Sequence, residues 1–255
     1  MNISLKVLYS GSTGNAAVLT AGDRCILIDA GRSARALTLA LENAGISPQS
    51  VCAIFLTHEH HDHTAALDIF LKKHPVPVHT VEACAARMLR TASPTLREAL
   101  VAHPPLFSLS VGEATLSSFP TPHDSAASVG YRITVGEHVL GYATDLGTVT
   151  PAVEAGLLGC EAVVLECNHD EEMLQAGPYP RELKRRIAAR CGHLSNTDCA
   201  AFAVKLAQHG MRRLLLAHLS ETNNLPELAL GEVRAALAGT AVHVAAASPD
   251  VTVEL

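Results

Sequence analysis

The segment THEHHDH, residues 57–63, decides which fold is predicted for this chain. Four of the 14 histidines and two acidic residues fall within its seven positions. It follows the short apolar run VCAIFL, which is typical of a buried β-strand. On a turn after a strand these side chains can converge, whereas a regular strand or helix would spread them over different faces. A solvated polar loop is the alternative, but the residue types favour a site for Zn²⁺, Mn²⁺ or Fe²⁺.

Length and charge limit the class of protein. With 255 residues the chain is long enough for one large domain, and we expect residues 1–255 to form it. Aromatic residues make up 4 % and Trp is absent, which disfavours broad stacking on nucleic acid. The net charge of −6 disfavours an overall basic nucleic-acid binder but allows a local basic patch. The candidate patch is RELKRRIAAR, residues 181–190, for which an exposed helix face is the alternative.

The seven cysteines are odd in number and form no Cys-x-x-Cys pair, so most are expected to be buried, reduced thiols. The sequence MNISLKVLYSGS at the start shows no signal-peptide pattern. No uncharged apolar run is long enough to span a bilayer. We therefore expect a cytoplasmic protein without a membrane partner. Its oligomeric state is left open.

The pattern of apolar residues predicts strands toward both ends of the chain, with helices between and after them. Residues 91–110 read as an irregular stretch with several prolines, and a β-rich region follows from Val111. Helices are predicted over residues 180–191 and over residues 195–210, where Ser195 begins and Gly210 ends the second one. This order predicts one layered α/β domain and not an alternating, doubly wound fold.

The spacing of the histidine-rich segment matches the His-x-His-x-Asp-His signature of the metallo-β-lactamase superfamily. That family also uses a lone His, a bridging Asp and a late His, each at the end of a strand, and this chain offers His123, Asp145 and His218 in that order. The resemblance implies an α/β fold, specifically a four-layer αββα sandwich, with two divalent metal ions. Glu59 and His61 stand between the ligands and are not expected to bind metal.

By the same resemblance, the ligands divide into two sets and a bridge. The first ion is assigned to His58, His60 and His123. The second is assigned to Asp62, His63 and His218, and Asp145 bridges both. Ala65 and Ala66 stand where the family often has Gly, a departure that removes no ligand. The other histidines lack partners at ligand spacing and are expected to be surface or structural groups: His74, His79, His103, His138, His209 and His243.

Two metal ions about 3.5–4 Å apart can lower the pKa of a bridging water and hold both oxygens of a displacement, which suits phosphodiesters. The stretches LECN, residues 165–168, and GHLSN, residues 192–196, resemble the order of motifs in ribonuclease Z enzymes. That resemblance implies that His193 protonates the leaving group and that Glu166 orients it, so the catalytic assignment is Asp62, His193 and Glu166. The alternative is that GHLSN only caps the following helix through Ser195.

A wider resemblance covers nearly the whole chain. YSGSTGN, IDAG, YATDLG, LECNHDEEMLQAGPYPRELKRRI and HLSETNN together resemble the WalJ/VicX (YycJ) branch of the superfamily. This resemblance implies a metal-dependent DNA exonuclease that acts from the 5′ end in DNA repair, through water activated by metal. Contacts to the nucleic-acid backbone are expected from Asn168, His169, Ser195, Asn196 and Ser220, and more peripherally from Arg181, Lys184 and Arg185.

Other functions fit the same metal motif. A hydrolase of thioesters, lactones or cyclic phosphodiesters would share the ligands, as would a ribonuclease, although DNA is favoured over RNA as the partner. A regulatory protein that keeps its metals for structure is a third possibility, which the complete ligand set disfavours. The turn GSTGN, residues 11–15, lacks the Gly-Lys-Ser/Thr ending of a nucleotide-binding loop and is expected to line the metal cleft.

Overall fold

Two seven-stranded mixed sheets form the centre of the computed structural model, which describes residues 3–255. The first sheet has the order β14-β1-β2-β3-β4-β5-β6 and the second the order β13-β12-β11-β10-β9-β8-β7. The strands of the first sheet are β1 Ile3–Tyr9, β2 Ala16–Ala21, β3 Arg24–Ile28, β4 Val51–Phe55, β5 Val78–Val81, β6 Leu100–His103 and β14 Val253–Glu254. The strands of the second sheet are β7 Ser108–Val111, β8 Ala114–Thr121, β9 Ser128–Val135, β10 His138–Ala143, β11 Ala162–Glu166, β12 Arg213–Ala217 and β13 His243–Ala246.

Ten α-helices connect these strands within the described residues. They are α1 Ala34–Asn43, α2 His61–Thr64, α3 Leu67–Lys73, α4 Glu82–Met88, α5 Pro94–Ala99, α6 Pro151–Leu157, α7 Glu171–Ala176, α8 Arg181–Ile187, α9 Asn196–Gln208 and α10 Pro226–Ala236. No helix within residues 3–255 is both long and apolar enough to cross a membrane.

Three hydrophobic clusters show how the layers are stacked. Alternate residues of a strand point to opposite faces of its sheet, so in β3 the side chain of Leu27 packs on the helical side while Ile26 and Ile28 pack between the sheets. The middle cluster joins the two sheets, for example through Phe55 of β4 and Tyr131 of β9, whose rings are 5.7 Å apart. The outer clusters join each sheet to its helices. Three cores between four layers confirm the predicted αββα sandwich.

The direction of the strands brings the candidate ligands to one edge of each sheet. Strands β3 to β6 run parallel in the first sheet, and β10 to β13 run parallel in the second. The carboxyl ends of parallel strands lie at the same edge of a sheet, where α/β proteins bind their ligands. The histidine-rich segment follows β4, and Asp145 and His218 follow β10 and β12.

Two predictions of local structure need correction. Residues 91–110 are not irregular, because Ser93 caps α5, Pro94 occupies its first turn, and β6 follows directly as a parallel edge strand. The helix predicted over residues 180–191 ends at Ile187, whose carbonyl oxygen accepts a hydrogen bond from the His193 amide. The start of α9 is confirmed, since the Ser195 hydroxyl accepts a hydrogen bond from the Asp198 amide.

Candidate metal centre

The seven predicted ligands lie together between the carboxyl edges of the two sheets. The ligand atoms of His58, His60 and His123, hereafter the first ligand group, all lie within 4.8 Å of one another. The same holds for Asp62, His63 and His218, hereafter the second ligand group.

Asp145 lies between the two ligand groups. Its Oδ2 is 3.3 Å from His63 Nε2 in the second group, and its Oδ1 is 3.7 Å from His123 Nε2 in the first. One carboxylate thus faces both groups, as a bridging ligand must. Its role as a bridge stays a prediction.

Three residues of the site have an unusual backbone conformation just after the end of a strand. Asp29, Asp145 and His218 have φ angles of +62°, +57° and +56°, and none is glycine. A left-handed conformation at such a residue costs about 1–3 kcal/mol and persists only where the surrounding structure holds it. The three residues follow β3, β10 and β12. The regular strand therefore ends close to the point where the side chain of Asp29, Asp145 or His218 enters the site.

Buried polar side chains surround the second ligand group. Asp29 Oδ2 lies 2.8 Å from His63 Nδ1, and the Thr57 hydroxyl donates to the same carboxylate at 2.9 Å. A carboxylate at the far nitrogen of an imidazole fixes the ring's tautomer and raises its basicity as a ligand. His63 therefore presents Nε2 to the centre.

The loop after β1 also contacts the second ligand group. The Asn15 carboxamide nitrogen lies 3.1 Å from His63 Nε2 and 3.4 Å from Asp62 Oδ2. Ser10 links this loop to β12, because its hydroxyl donates to Asn15 Oδ1 at 3.0 Å and accepts from the His218 amide at 2.8 Å. Gly31 permits this close packing, since a side chain there would overlap the carbonyl oxygen of Asp62.

The first ligand group has fewer supporting contacts than the second. His58 Nδ1 lies 3.0 Å from the Thr57 hydroxyl, and His123 Nδ1 lies 3.2 Å from the Gly192 carbonyl oxygen. Glu59 does not join the group. Its buried carboxylate instead accepts a hydrogen bond from the Ala126 amide at 2.9 Å and so holds the loop that carries His123.

The two groups also differ in the protonation of their histidines. Burial, with the charge of His63, holds the pKa of His58 well below its usual range, and burial lowers that of His123. Burial also acts to lower the pKa of His218, but Asp145, Asp62 and Glu166 outweigh it and raise the pKa to about 10. The carboxylates of Asp29 and Asp145 likewise raise the pKa of His63 well above its usual range.

The chemistry of the centre fits divalent cations. His58 Nε2 and His218 Nε2 are buried and make no hydrogen bond to any residue among positions 3–255. Buried polar atoms are normally paired, so each exception needs an explanation. Imidazole nitrogens and carboxylate oxygens are the ligands that zinc, manganese and iron accept, and a bound ion would pair both nitrogens.

The catalytic candidates Glu166 and His193 lie beside the ligand groups. Glu166 Oε1 lies 2.8 Å from His193 Nδ1 and 2.8 Å from His218 Nδ1, while its Oε2 accepts from the amides of Leu146 and Leu194. Burial raises the pKa of Glu166, but His193 and His218 outweigh it and lower the pKa to about 2. Glu166 is therefore a carboxylate that orients two imidazoles at once.

His193 and Glu166 could also be ligands themselves. Their ligand atoms lie within 4.8 Å of those of Asp145 and His218. His193 is the more exposed of the two, at 23 % of its side chain. Its Nδ1 faces Glu166, so its Nε2 is directed away from that carboxylate.

The five predicted nucleic-acid contacts are buried, and none lines the cleft beside the ligands. The Asn168 side-chain nitrogen donates to the His218 carbonyl oxygen, the Asn196 side chain hydrogen-bonds to that of Asn224, and Ser195 caps α9. His169 forms a bridge with Ser195, and the Ser220 hydroxyl accepts from the Asn223 amide. These residues link β11, α9 and the loop after β12, and their contact with substrate stays a prediction.

The cleft has a volume of about 210 Å³, and Ser12 lines it beside ligands of both groups, as was expected of the GSTGN turn. It also contains residues that the sequence did not single out. Three further members, Leu183, Arg186 and Ile187, come from α8, whose basic residues were predicted as peripheral. Their spacing of three and four residues, which places side chains on one face of a helix, is the signal that could have identified them.

The sequence of this chain is similar to those of known proteins. Residues 24–219 match the family model described as a β-lactamase superfamily domain. The chain is 33 % identical over 238 residues to exodeoxyribonuclease YycJ of Bacillus anthracis, which covers 90 % of this chain and 87 % of that protein. It is 30 % identical over 227 residues to exodeoxyribonuclease WalJ of Streptococcus pneumoniae, which covers 88 % of this chain and 84 % of that protein.

Among solved structures, the metallo-β-lactamase fold protein YhfI from Bacillus subtilis superposes with a TM-score of 0.76. The match covers 99 % of this chain and 100 % of that one at 19 % identity, and it supports the fold alone. The family match includes the whole span from His58 to His218. This chain therefore belongs to the metallo-β-lactamase superfamily of metal-binding proteins, in the branch that contains YycJ and WalJ.

Proposed function

We propose that this protein is a two-metal-dependent phosphodiesterase, and specifically a DNA exonuclease that digests from the 5′ end. The observation that carries the proposal is the pair of His193 and Glu166, 2.8 Å apart and next to both ligand groups. A hydrolase of this kind needs a proton donor at the leaving group, and an imidazole held by a carboxylate can provide it. The relatives described as exodeoxyribonucleases, similar over most of the chain, support DNA as the substrate.

Divalent ions held by the first and second ligand groups, with Asp145 between them, would neutralise phosphate charge and make water more acidic. Side chains of the protein provide the proton and the orientation that the reaction needs. The doubly protonated His193 ring donates its Nε2 proton to the departing oxygen, while Glu166 accepts from Nδ1–H, pairs with the positive charge of the ring and orients it. Asp62 and Asp145 keep their negative charge, since His218 and His63 hold the pKa of both carboxyls below the usual range.

The shape of the cleft favours the end of a polymer over a small apolar molecule. Its volume of about 210 Å³ is below the roughly 300–1,000 Å³ of typical small-molecule pockets. Imidazoles and carboxylates from both ligand groups line it, whereas pockets for thioesters or lactones are mostly apolar. A short polar cleft suits one phosphodiester with the rest of the strand outside.

Other parts of the proposal follow the same reasoning. We expect zinc, manganese or iron as the metal, since the ligands are nitrogen and oxygen atoms. The seven cysteines are all unpaired, which supports a reducing, cytoplasmic setting. Action on DNA ends fits a role in DNA repair, with residues 1–255 working as one domain.

The test is a panel of end-labelled substrates. Single and double strands of DNA and RNA, with and without a 5′ phosphate, are incubated with protein loaded with Mn²⁺ or Zn²⁺. We expect a 5′ label on DNA to appear at once as a mononucleotide and a 3′ label to remain on progressively shorter strands. Digestion of RNA alone would favour the ribonuclease alternative. Metal-loaded protein that cleaves no nucleic acid would overturn the proposal.

A further inference from the structure

Helix α8 carries two different basic faces. Leu183, Arg186 and Ile187 line the cleft beside the ligand groups. Arg185 is also exposed but does not line the cleft. Lys184 is turned to another partner, since its Nζ donates to the Gln175 carbonyl oxygen at 2.6 Å. Residues three and four positions apart share a helix face, so the cleft face is the one that contains Arg186.

Arg186 is the only Lys or Arg among the described residues that line the cleft. Its Nε donates to Asp124 Oδ2 at 2.8 Å, and Asp124 directly follows the ligand His123. The Nη nitrogens make no hydrogen bond within residues 3–255, and the side chain is 64 % exposed. One edge of the guanidinium is therefore held in place while its other donors are available. Such a planar fork matches the geometry of a phosphate.

The segment from Arg186 to His193 is short and held at both ends. The His193 amide donates to the Ile187 carbonyl oxygen at 2.8 Å, and the Gly192 carbonyl oxygen lies 3.2 Å from His123 Nδ1. Gly192 is needed for this turn, because a side chain there would overlap the carbonyl oxygens of Arg186 and Ile187. These contacts place the backbone of Arg186 close to the proposed proton donor and to the loop of His123.

We propose that Arg186 binds a backbone phosphate next to the one that is cleaved, with Leu183 and Ile187 packing against the attached nucleoside. The inference rests on the proposed function and adds a binding subsite to it. It makes Arg186 a residue that selects substrates with a second phosphate, such as a nucleic-acid strand, over phosphodiesters of small molecules. The position of a phosphate at Arg186 would also set the register of the bond presented to His193.

The test compares Arg186→Ala with Arg212→Ala, a matched change of an exposed arginine that precedes β12 at the end of the strand opposite His218 and the cleft. Rates are measured on 5′-phosphorylated duplex DNA and on bis(p-nitrophenyl) phosphate, together with metal content. We expect Arg186→Ala to lower kcat/KM on DNA about 10- to 100-fold, since bonds to charged groups contribute that much. Its effect on the small diester should be below about threefold. The slope of log kcat/KM against log salt should fall by about one for the lost phosphate contact.

Arg186→Lys keeps the charge without the fork, and we expect it to recover part of the loss on DNA. Arg212→Ala should match the unchanged protein within about threefold on both substrates. If Arg186→Ala and Arg212→Ala behave alike while the unchanged protein digests DNA, the subsite is wrong and the proposed function stands. Loss of metal from Arg186→Ala would overturn the subsite in the same way. If the unchanged, metal-loaded protein digests no DNA, the proposed function and the subsite fall together.

Discussion

The first and second ligand groups lie side by side, yet they are built differently. The second group is embedded among buried polar side chains, with Asp29 behind His63, Glu166 behind His218 and Asn15 against both Asp62 and His63. The first group consists of imidazoles alone and has fewer polar partners, although each group contributes two ligands to the cleft, His60 and His123 from the first and Asp62 and His218 from the second. Orienting partners of metal ligands contribute strongly to affinity. We therefore expect an ion in the second group to be held permanently and an ion in the first group to exchange with solution.

The ligand between the groups should give the largest effect. Asp145→Asn keeps the shape of the side chain but removes the charge that faces both groups, so we expect neither ion to be retained. Cleavage of DNA should fall about 1,000-fold or more, since the metal centre contributes several kcal/mol. Metal content by mass spectrometry and digestion of end-labelled DNA check this. Asp23→Asn, in an exposed turn, serves as the control. Retention of both ions would contradict the bridging role.

His193 and His218 share Glu166, and changing each in turn separates proton donor from ligand. We expect His193→Ala to lower kcat on DNA about 100- to 1,000-fold with both ions still bound, because a general acid contributes that much. His218→Ala should instead lose the ion of the second group. Measuring bound metal in both variants decides the assignment. A missing ion in His193→Ala would make that residue a ligand and remove the proposed acid.

Asn15 tests how much the surroundings of the second group matter. We expect Asn15→Ala to weaken metal binding there about 10- to 100-fold, as is usual when a partner of a ligand is removed. The first group should be unaffected. Thr13→Ala is the matched control, since Thr13 lies in the same loop but is exposed and its hydroxyl accepts a hydrogen bond from Arg32, away from the ligands. Equal metal affinity in the two variants would show that the loop does not support the ligands.

The smallest effect expected is a difference in pH dependence. In the metal-free protein the pKa of His218 is about 10, so an ion must displace its proton at neutral pH. Affinity at the second group should therefore rise with pH, about tenfold per unit for each proton that the ion displaces from His218 and His63, until pH approaches about 10. His58 and His123 are already neutral at pH 7, so affinity at the first group should be nearly constant above it. Chelator competition at several pH values measures both. An equal pH dependence of metal affinity at the two groups would contradict the proposed difference between them.

The resemblance to the metallo-β-lactamase superfamily predicted the sandwich fold and seven candidate ligands, and the structure confirms the fold and brings those residues together. An apolar run followed by a polar turn marks the end of a buried strand, and the histidine spacing and the residues Asp145 and His218 all follow such runs. The GSTGN turn was expected to line the cleft and Glu166 to orient His193, but the contacts of Asn15, Glu166 and Asp29 with the second group were not predicted. Asp29 and Asn15 reach His63 only after four strands have paired, and no spacing in the sequence encodes that contact.

The region around β6 shows why some elements could not be predicted. β6 has four residues, two of them exposed, so its own sequence shows no clear strand pattern. Its pairing with β5 stabilises it as a strand. Helix α8 was predicted, but its cleft face was not, because the basic residues on both faces look alike in sequence. Only the folded chain shows that Arg186 lies beside the ligands and Arg185 does not.

The most direct test of the two unequal groups is a crystal structure with anomalous scattering from the bound metal, recorded at increasing chelator concentration and matched to activity on 5′-phosphorylated DNA. We predict two ions at full loading, and loss of the ion at His58, His60 and His123 before that at Asp62, His63 and His218. Activity should fall with the first loss. A single ion at full activity, or loss of the second group's ion first, would contradict the account.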